Sequence, residues 1–183
     1  MRVLLIQPPI SPIDFAAGRL VLNEPLALEI IGACIPDCEV RILDMRLDEE
    51  LERELDSFQP DIVATTSYTA GVYAALATLK KVKTYNQQIL TVVGGHHATL
   101  MPQDFNREFI DVIILGEGEI TFPELVEAYQ TGNDLKKVKG LALPQNGKLV
   151  FAPPREIIAN LDIAPFPDRH LTKKYRHQYF RGV

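Results

Sequence analysis

At 183 residues, 46% hydrophobic and 23% charged, the chain has the size and composition of one ordinary globular domain plus a tail. Nineteen basic against 24 acidic side chains give a formal charge of −5, which argues against a nucleic-acid-binding surface. The longest apolar runs, such as VLLI and VIIL, fall far short of a membrane span, and MRVLLIQPP enters a strand-like stretch with no signal-peptide pattern, so a cytoplasmic protein is expected.

Five short apolar, β-branched-rich runs recur: residues 2–7 (RVLLIQ), 38–44 (CEVRILD), 61–67 (DIVATTS), 89–95 (ILTVVGG) and 111–118 (DVIILGEG). Each is nearly continuous rather than alternating, the pattern of strands covered on both faces. Helical patterns separate them. Cys34 falls in an apolar helical stretch after the first run. Residues 48–58 set Leu51, Leu55 and Phe58 on one face, with acids at the start to suit the helix dipole. Residues 71–86 gather Val72, Leu76, Leu79 and Val82, and residues 121–131 open on a capping box of Thr121 and Glu124 and stop at Gly132. This alternation predicts an α/β fold, a doubly wound five-stranded parallel sheet of flavodoxin-like order 2-1-3-4-5, over residues 1–132. Beyond it, two strand-like runs flank Asn146-Gly147 and predict a β-hairpin extension within 133–154. Residues 155–183, with Pro165, Pro167 and a basic, aromatic mixture, read as a linker.

In such sheets ligands bind beyond the carboxyl ends of the strands, here residues 8–24, 44–48, 66–71, 94–102 and 116–121. The common occupants of the fold are excluded in turn. QPPISPIDF after the first strand has neither the G-x-G-x-x-G dinucleotide fingerprint nor a P-loop. The positions that would carry a phospho-acceptor site hold Gln7-Pro8-Pro9, Thr66-Ser67 and Gly116-Glu117, and Ser11 is the only hydroxyl in 8–24, too little for a flavodoxin phosphate loop. The first loop is long enough to suggest a function. Strand 3 ends in the hydroxyls of TTSYT. Strand 4 ends in Gly94-Gly95, where missing side chains let a bulky ligand lie against the backbone. Strand 5 ends in Gly116-Glu117-Gly118. Bare backbone and hydroxyls without a phosphate cradle suggest a large neutral ligand with an extended tail.

Read together, MRVLLIQPP, PDIVATTSYT, VVGGHHAT, IDVIILGEGEITFPEL, KVKGLAL and NLDIAPFPDR span nearly the whole chain in order. The chain resembles the N-terminal cobalamin-binding domain of cobalamin-dependent radical S-adenosylmethionine enzymes. The pattern most like it is that of the anaerobic magnesium-protoporphyrin monomethyl ester oxidative cyclases. The wider superfamily shows D-x-H-x-x-G after strand 1, supplying a histidine to cobalt, S-x-L after strand 3, and G-G after strand 4. Here Thr66-Ser67-Tyr68 stands in the S-x-L place, Gly94-Gly95 matches, and residues 8–24 contain no histidine. The resemblance therefore implies cobalamin bound base-off without a histidine ligand, as in the radical-enzyme branch. It implies a cofactor site of Pro8, Pro9, Thr66, Ser67, Tyr68, Thr69, Gly94, Gly95, His97, Gly116, Glu117 and Gly118. It also implies a linker at 155–183 toward a radical S-adenosylmethionine domain that carries the 4Fe-4S cluster, S-adenosylmethionine and catalysis, either oxidative cyclisation or methylation.

Plainer readings stand beside these. Cys34 and Cys38 have the C-x3-C spacing that opens a radical-enzyme cluster motif, but the third position is Arg41, and two ordinary thiols are expected. His97 is read as a loop-fixing group and His96 as solvated, with no metal site between such neighbours. Thr66 and Ser67 also suit a helix cap, though the double glycine beside them favours ligand contact; Glu117 and Glu119 suit a helix N-terminus, and Asp44 with Arg46 a surface pair. Two other functions remain open: a stand-alone corrinoid sensor, whose tail would close the domain, and a flavodoxin-like or glycosyltransferase-like enzyme using a flavin or sugar nucleotide in the same crevice.

Overall fold

Arg2–Gln7 form β1, and its inner residues Val3 to Ile6 are wholly buried. A strand apolar on both faces belongs mid-sheet, and β1 is flanked in parallel by β2 (Glu39–Asp44) and β3 (Ile62–Thr66). The sheet continues in parallel through β4 (Leu90–Gly94) and β5 (Val112–Ile114). In this computed structural model residues 1–10 and 22–179 are described; the greater part of the long first loop, residues 11–21 with Ser11, lies outside them.

Alternate residues of each strand face opposite sides. Leu4, Ile6, Val63 and Val93 join a core with α2 (Leu51–Phe58) and α3 (Val72–Tyr85). Val3, Leu5, Ala64 and Val92 join a second core with α1 (Leu26–Ala33) and α5 (Gly118–Thr131). A short α4 (His96–Leu100) follows β4. The parallel part has the expected order 2-1-3-4-5.

The sheet has seven strands rather than five. The hairpin of β6 (Leu141–Gln145) and β7 (Lys148–Phe151) adds antiparallel to β5, giving the order β2-β1-β3-β4-β5-β6-β7. Asn146 and Gly147 both take left-handed backbone angles (φ 50 and 75), as the two-residue turn requires. The expected capping box is corrected as well. The helix begins at Gly118, so Thr121 lies within its first turns, and its hydroxyl donates to the Glu117 carbonyl at 3.1 Å.

Residues beyond the hairpin run back over the domain. Leu171 packs where a Cβ on Gly32 would stand, Thr172 donates to Glu29 at 2.5 Å, and the rings of Tyr175 and Tyr179 are buried near the end of β2.

Candidate functional site

On the α1/α5 face, the side chains shrink toward the carboxyl ends of the two central strands. Ala64 of β3 pairs between Leu5 and Val92, and one step outward Thr66 pairs with Gly94. The space this leaves is a cavity of about 210 Å³ between α1, α5 and the sheet, with an apolar floor and a rim formed by Thr66, Gly94, Gly95 and residues 116–119.

The two glycines of β4 have different tasks. A Cβ on Gly94 would sit 3.5 Å from the Ile114 Cβ, an ordinary contact, and would project on the cavity side. Gly95 is required by the backbone: φ is +95, and a Cβ would lie 2.5 Å from Thr66 Oγ1 and 3.0 Å from the Ser67 nitrogen. That close approach lets the Ser67 N–H donate to the Gly94 carbonyl and the His97 N–H to the Ser67 carbonyl, each at 3.0 Å. Gly118 admits Ile31 of α1, whose Cδ1 would be 2.8 Å from a Cβ, and so brings α1 and α5 together over the cavity.

A second, more polar depression of about 580 Å³ lies over the ends of β1, β2 and β3, bordered by Gln7, Glu24, Arg46, Tyr68 and Arg169. The two depressions meet at Ala27 and Thr66, which border both. Tyr68 is 67% exposed there, a ring held out into solvent.

Of the residues singled out from sequence, Thr66, Gly94, Gly95, Gly116, Glu117 and Gly118 border the apolar cavity and Tyr68 the polar one. Pro8, Pro9, Ser67, Thr69 and His97 border neither. Ser67 is buried and its hydroxyl donates to the Tyr68 carbonyl, not to a helix terminus. His97 is 6% exposed, with Nδ1 3.1 Å from Thr69 Oγ1, Nε2 2.8 Å from Asp104, and the Phe105 ring against its edge. It thereby ties the loop after β3 to the segment after α4, while His96 is exposed. Glu117 accepts from the Ile158 N–H at 2.8 Å, so its carboxylate anchors the later chain as well as facing the cavity.

Sequence reading missed three contributors: α1, which supplies one wall, and the arginines Arg46 and Arg169. Asp44 and Arg46 are not a surface pair. Asp44 is fully buried and takes Arg46 Nε at 2.8 Å, Nη2 at 2.6 Å and the Tyr179 hydroxyl at 2.9 Å. Burial, with the Asp44 charge beside it, drives the Tyr179 phenol far above its usual range, so it stays a donor. Burial likewise raises the Cys34 thiol to about 11, helped by the Glu119 charge, which leaves it a poor nucleophile at neutral pH. Among the described residues no three His, Cys, Asp or Glu side chains gather in a metal-holding group, and no helix is long and apolar enough to cross a membrane.

Residues 19–126 match the family model described as B12 binding domain. An uncharacterised methyltransferase of Pyrococcus horikoshii is 35% identical over 180 residues, covering 93% of this chain and 39% of that protein. The anaerobic magnesium-protoporphyrin IX monomethyl ester cyclase of Rubrivivax gelatinosus is 36% identical over 181 residues, 88% of this chain and 31% of that one. The chain thus spans well under half the length of these relatives. Among solved structures, the cobalamin-dependent S-adenosylmethionine radical enzyme OxsB superposes with a TM-score of 0.74 at 18% identity, over 96% of this chain and 25% of its own. The radical S-adenosylmethionine methyltransferase TsrM of Kitasatospora setae gives 0.70 at 22%, over 85% of this chain and 30% of its own. These two likenesses concern the fold; the family match and the sequence relatives carry the assignment. By its sequence over more than half its length, and with a glycine-opened cavity at the strand ends, the chain belongs to the B12-binding domain family.

Proposed function

We propose that the chain binds cobalamin in the base-off state, with no histidine on cobalt, as the N-terminal module of a radical S-adenosylmethionine enzyme, either an oxidative cyclase or a methyltransferase. The apolar cavity behind Thr66 and Gly94 carries this reading. An apolar space of about 150 Å³ holds a benzene ring, so 210 Å³ open at one side accommodates the fused aromatic base of the nucleotide arm. Gly94 leaves the space free, and Thr66, at the junction of the two depressions, is placed to hydrogen-bond the arm. The corrin would lie over the polar depression against Tyr68, with Pro8 and Pro9 stiffening the chain beneath, while Gly116, Glu117 and Gly118 border the arm at the rim of the apolar cavity. Ser67, Thr69, Gly95 and His97 act as braces for these loops.

The absent cobalt ligand is supported by the lack of any histidine in residues 8–24 and by His97, whose two nitrogens already face Thr69 and Asp104. When bound, cobalamin supplies a cobalt centre suited to methyl or electron transfer. The chain's own residues hold and orient it and exclude water from its arm; none is proposed as catalytic. The 4Fe-4S cluster and S-adenosylmethionine belong, on this proposal, to a partner domain reached through residues 155–183, and the free thiols Cys34 and Cys38 fit a cytoplasmic setting. The test is titration with hydroxocobalamin, followed by the visible spectrum and gel filtration. A base-off spectrum that travels with the protein supports the proposal, and cobalamin that elutes apart, or a histidine-ligated spectrum, refutes it.

One observation favours a second reading, a stand-alone corrinoid sensor: residues 168–179 pack on the domain instead of trailing from it. Tight binding that is indifferent to an added radical S-adenosylmethionine domain supports the sensor. Affinity that rises when the domain is supplied supports the module.

A further inference from the structure

We propose that Arg46 is a corrin-recognising residue, donating from Nη1 to a carboxamide oxygen at the edge of the macrocycle, and that Tyr175 and Tyr179 of the tail hold it in position. The inference rests on the cobalamin reading and extends it to the polar depression.

Among the described residues the guanidinium is held by Asp44 and the Asn23 carbonyl, with Tyr179 close by. Nε and Nη2 form a fork onto buried Asp44, and Nη2 also donates to the Asn23 carbonyl at 2.8 Å. Among the described residues Nη1 donates to none, and Arg46 borders the polar depression beside Thr66. An arginine serving only as a structural counter-ion needs no opening at its far end. This one keeps 15% of its side-chain surface exposed and borders the polar depression. Because Asp44 immobilises the head, a ligand contact there needs little further ordering.

The charges around the depression indicate what it takes. Arg46 is matched by Asp44 and Arg169 by Glu24, at 2.6 and 2.8 Å, so neither arginine carries an uncompensated charge toward a ligand. Paired cations and carboxylates set donors beside acceptors, which suits neutral primary amides better than an anion. A corrin bears such amides around its rim.

The tail enters through Asp44. Its backbone N–H donates to the Tyr175 hydroxyl at 3.2 Å, and its carboxylate accepts from Tyr179 at 2.9 Å; both rings are more than nine-tenths buried. The tail therefore grips the residue that aims Arg46, so tail docking and corrin recognition are coupled through one carboxylate.

Two probes separate this inference from its parent reading: hydroxocobalamin, and diaquacobinamide, which keeps the corrin amides but lacks the nucleotide arm. Both are titrated into the 183-residue chain, and the protein-bound fraction is read by equilibrium dialysis from the corrin absorbance. Arg46→Lys keeps a cation against buried Asp44 and loses the planar fork, and thermal melting verifies that it folds. Both ligands are expected to weaken by the same factor, about tenfold. Tyr179→Phe is expected to weaken both about threefold in the otherwise unchanged chain, and to add nothing in the Arg46→Lys background, which a merely structural tyrosine would not do. Unchanged affinities in folded Arg46→Lys, or loss for hydroxocobalamin alone, overturn the assignment of Arg46 to the corrin and leave the cobalamin reading standing. Additive losses in the double variant overturn the positioning role of Tyr179. A chain that binds neither probe overturns the reading and the inference together.

Discussion

Gly94→Leu is the most direct perturbation of the proposed site. The new side chain starts 3.5 Å from the Ile114 Cβ, on backbone that needs no positive φ, and extends into a cavity of about 210 Å³. The strand keeps its hydrogen bonds and gains an apolar group facing an apolar wall, so the melting temperature should hold or rise slightly. The nucleotide arm loses its place. A fused aromatic ring buries ~200 Å², worth ~5 kcal/mol at 25 cal/mol per Å². Losing only half of that raises Kd by roughly two decades. Hydroxocobalamin affinity should therefore fall at least ~100-fold, measured by spectral titration, while Gly94→Ala, which adds only the ordinary contact, stays close to the parent. Diaquacobinamide, without the arm, should be little affected. A folded Gly94→Leu that binds hydroxocobalamin normally would place the arm elsewhere and refute the reasoning.

Three further outcomes are expected. Gly95→Ala is a folding defect before it is a binding defect: φ of +95 and a Cβ 2.5 Å from Thr66 Oγ1 should cost at least ~2 kcal/mol in urea unfolding, and an unchanged midpoint would contradict the close approach of β3 and β4. Burial raises the Glu29 carboxyl above its ordinary range, against the hydrogen bond from Thr172. A raised folded pKa gives stability that is present at low pH and lost as pH rises, so Glu29→Gln should be more stable than the parent at pH 7.5, the gain fading toward the ordinary glutamate value of ~4.3; a gain independent of pH would rule the explanation out. Lys83 Nζ lies 2.7 Å from Asp111 and donates to the Ile89 and Gln87 carbonyls. Lys83→Met should destabilise by ~3 kcal/mol, the low end for a buried pair because Asp111 keeps 31% of its side-chain surface; calorimetry that finds no loss would count against the pair.

How much of this was legible in sequence depends on the range of the interaction. The five parallel strands were readable because each is apolar on both faces, a local pattern with one structural meaning. The hairpin turn was readable because Asn146-Gly147 supplies two left-handed residues in succession. That the hairpin would extend the main sheet was not, since its pairing with Ile113 and Ile114 leaves no mark on the turn. Thr121 and Glu124 matched a capping box by spacing, yet the helix starts at Gly118, where Glu117 already holds extended backbone angles. At the site, the rim residues of β3, β4 and β5 were visible as hydroxyls and glycines. The roles of Gly94 and Gly95 could not be separated without knowing which backbone angle was positive. Asp44 and Arg46 looked like a solvent-facing pair because the tyrosines that bury Asp44 lie more than 130 positions away. His97 was legible as a loop-fixing group, but its partners Thr69 and Asp104 were not, because they come from separate loops.

The antiparallel ribbon on the flank of β5 bears on how this molecule is divided for experiments. A chain cut at Gly132, where the composition changes, would strip the outer neighbour from a strand of three residues and bare Ile113 and Ile114 to any other extended segment in solution. Such a fragment invites self-association, and the smallest piece worth expressing should run at least through Phe151.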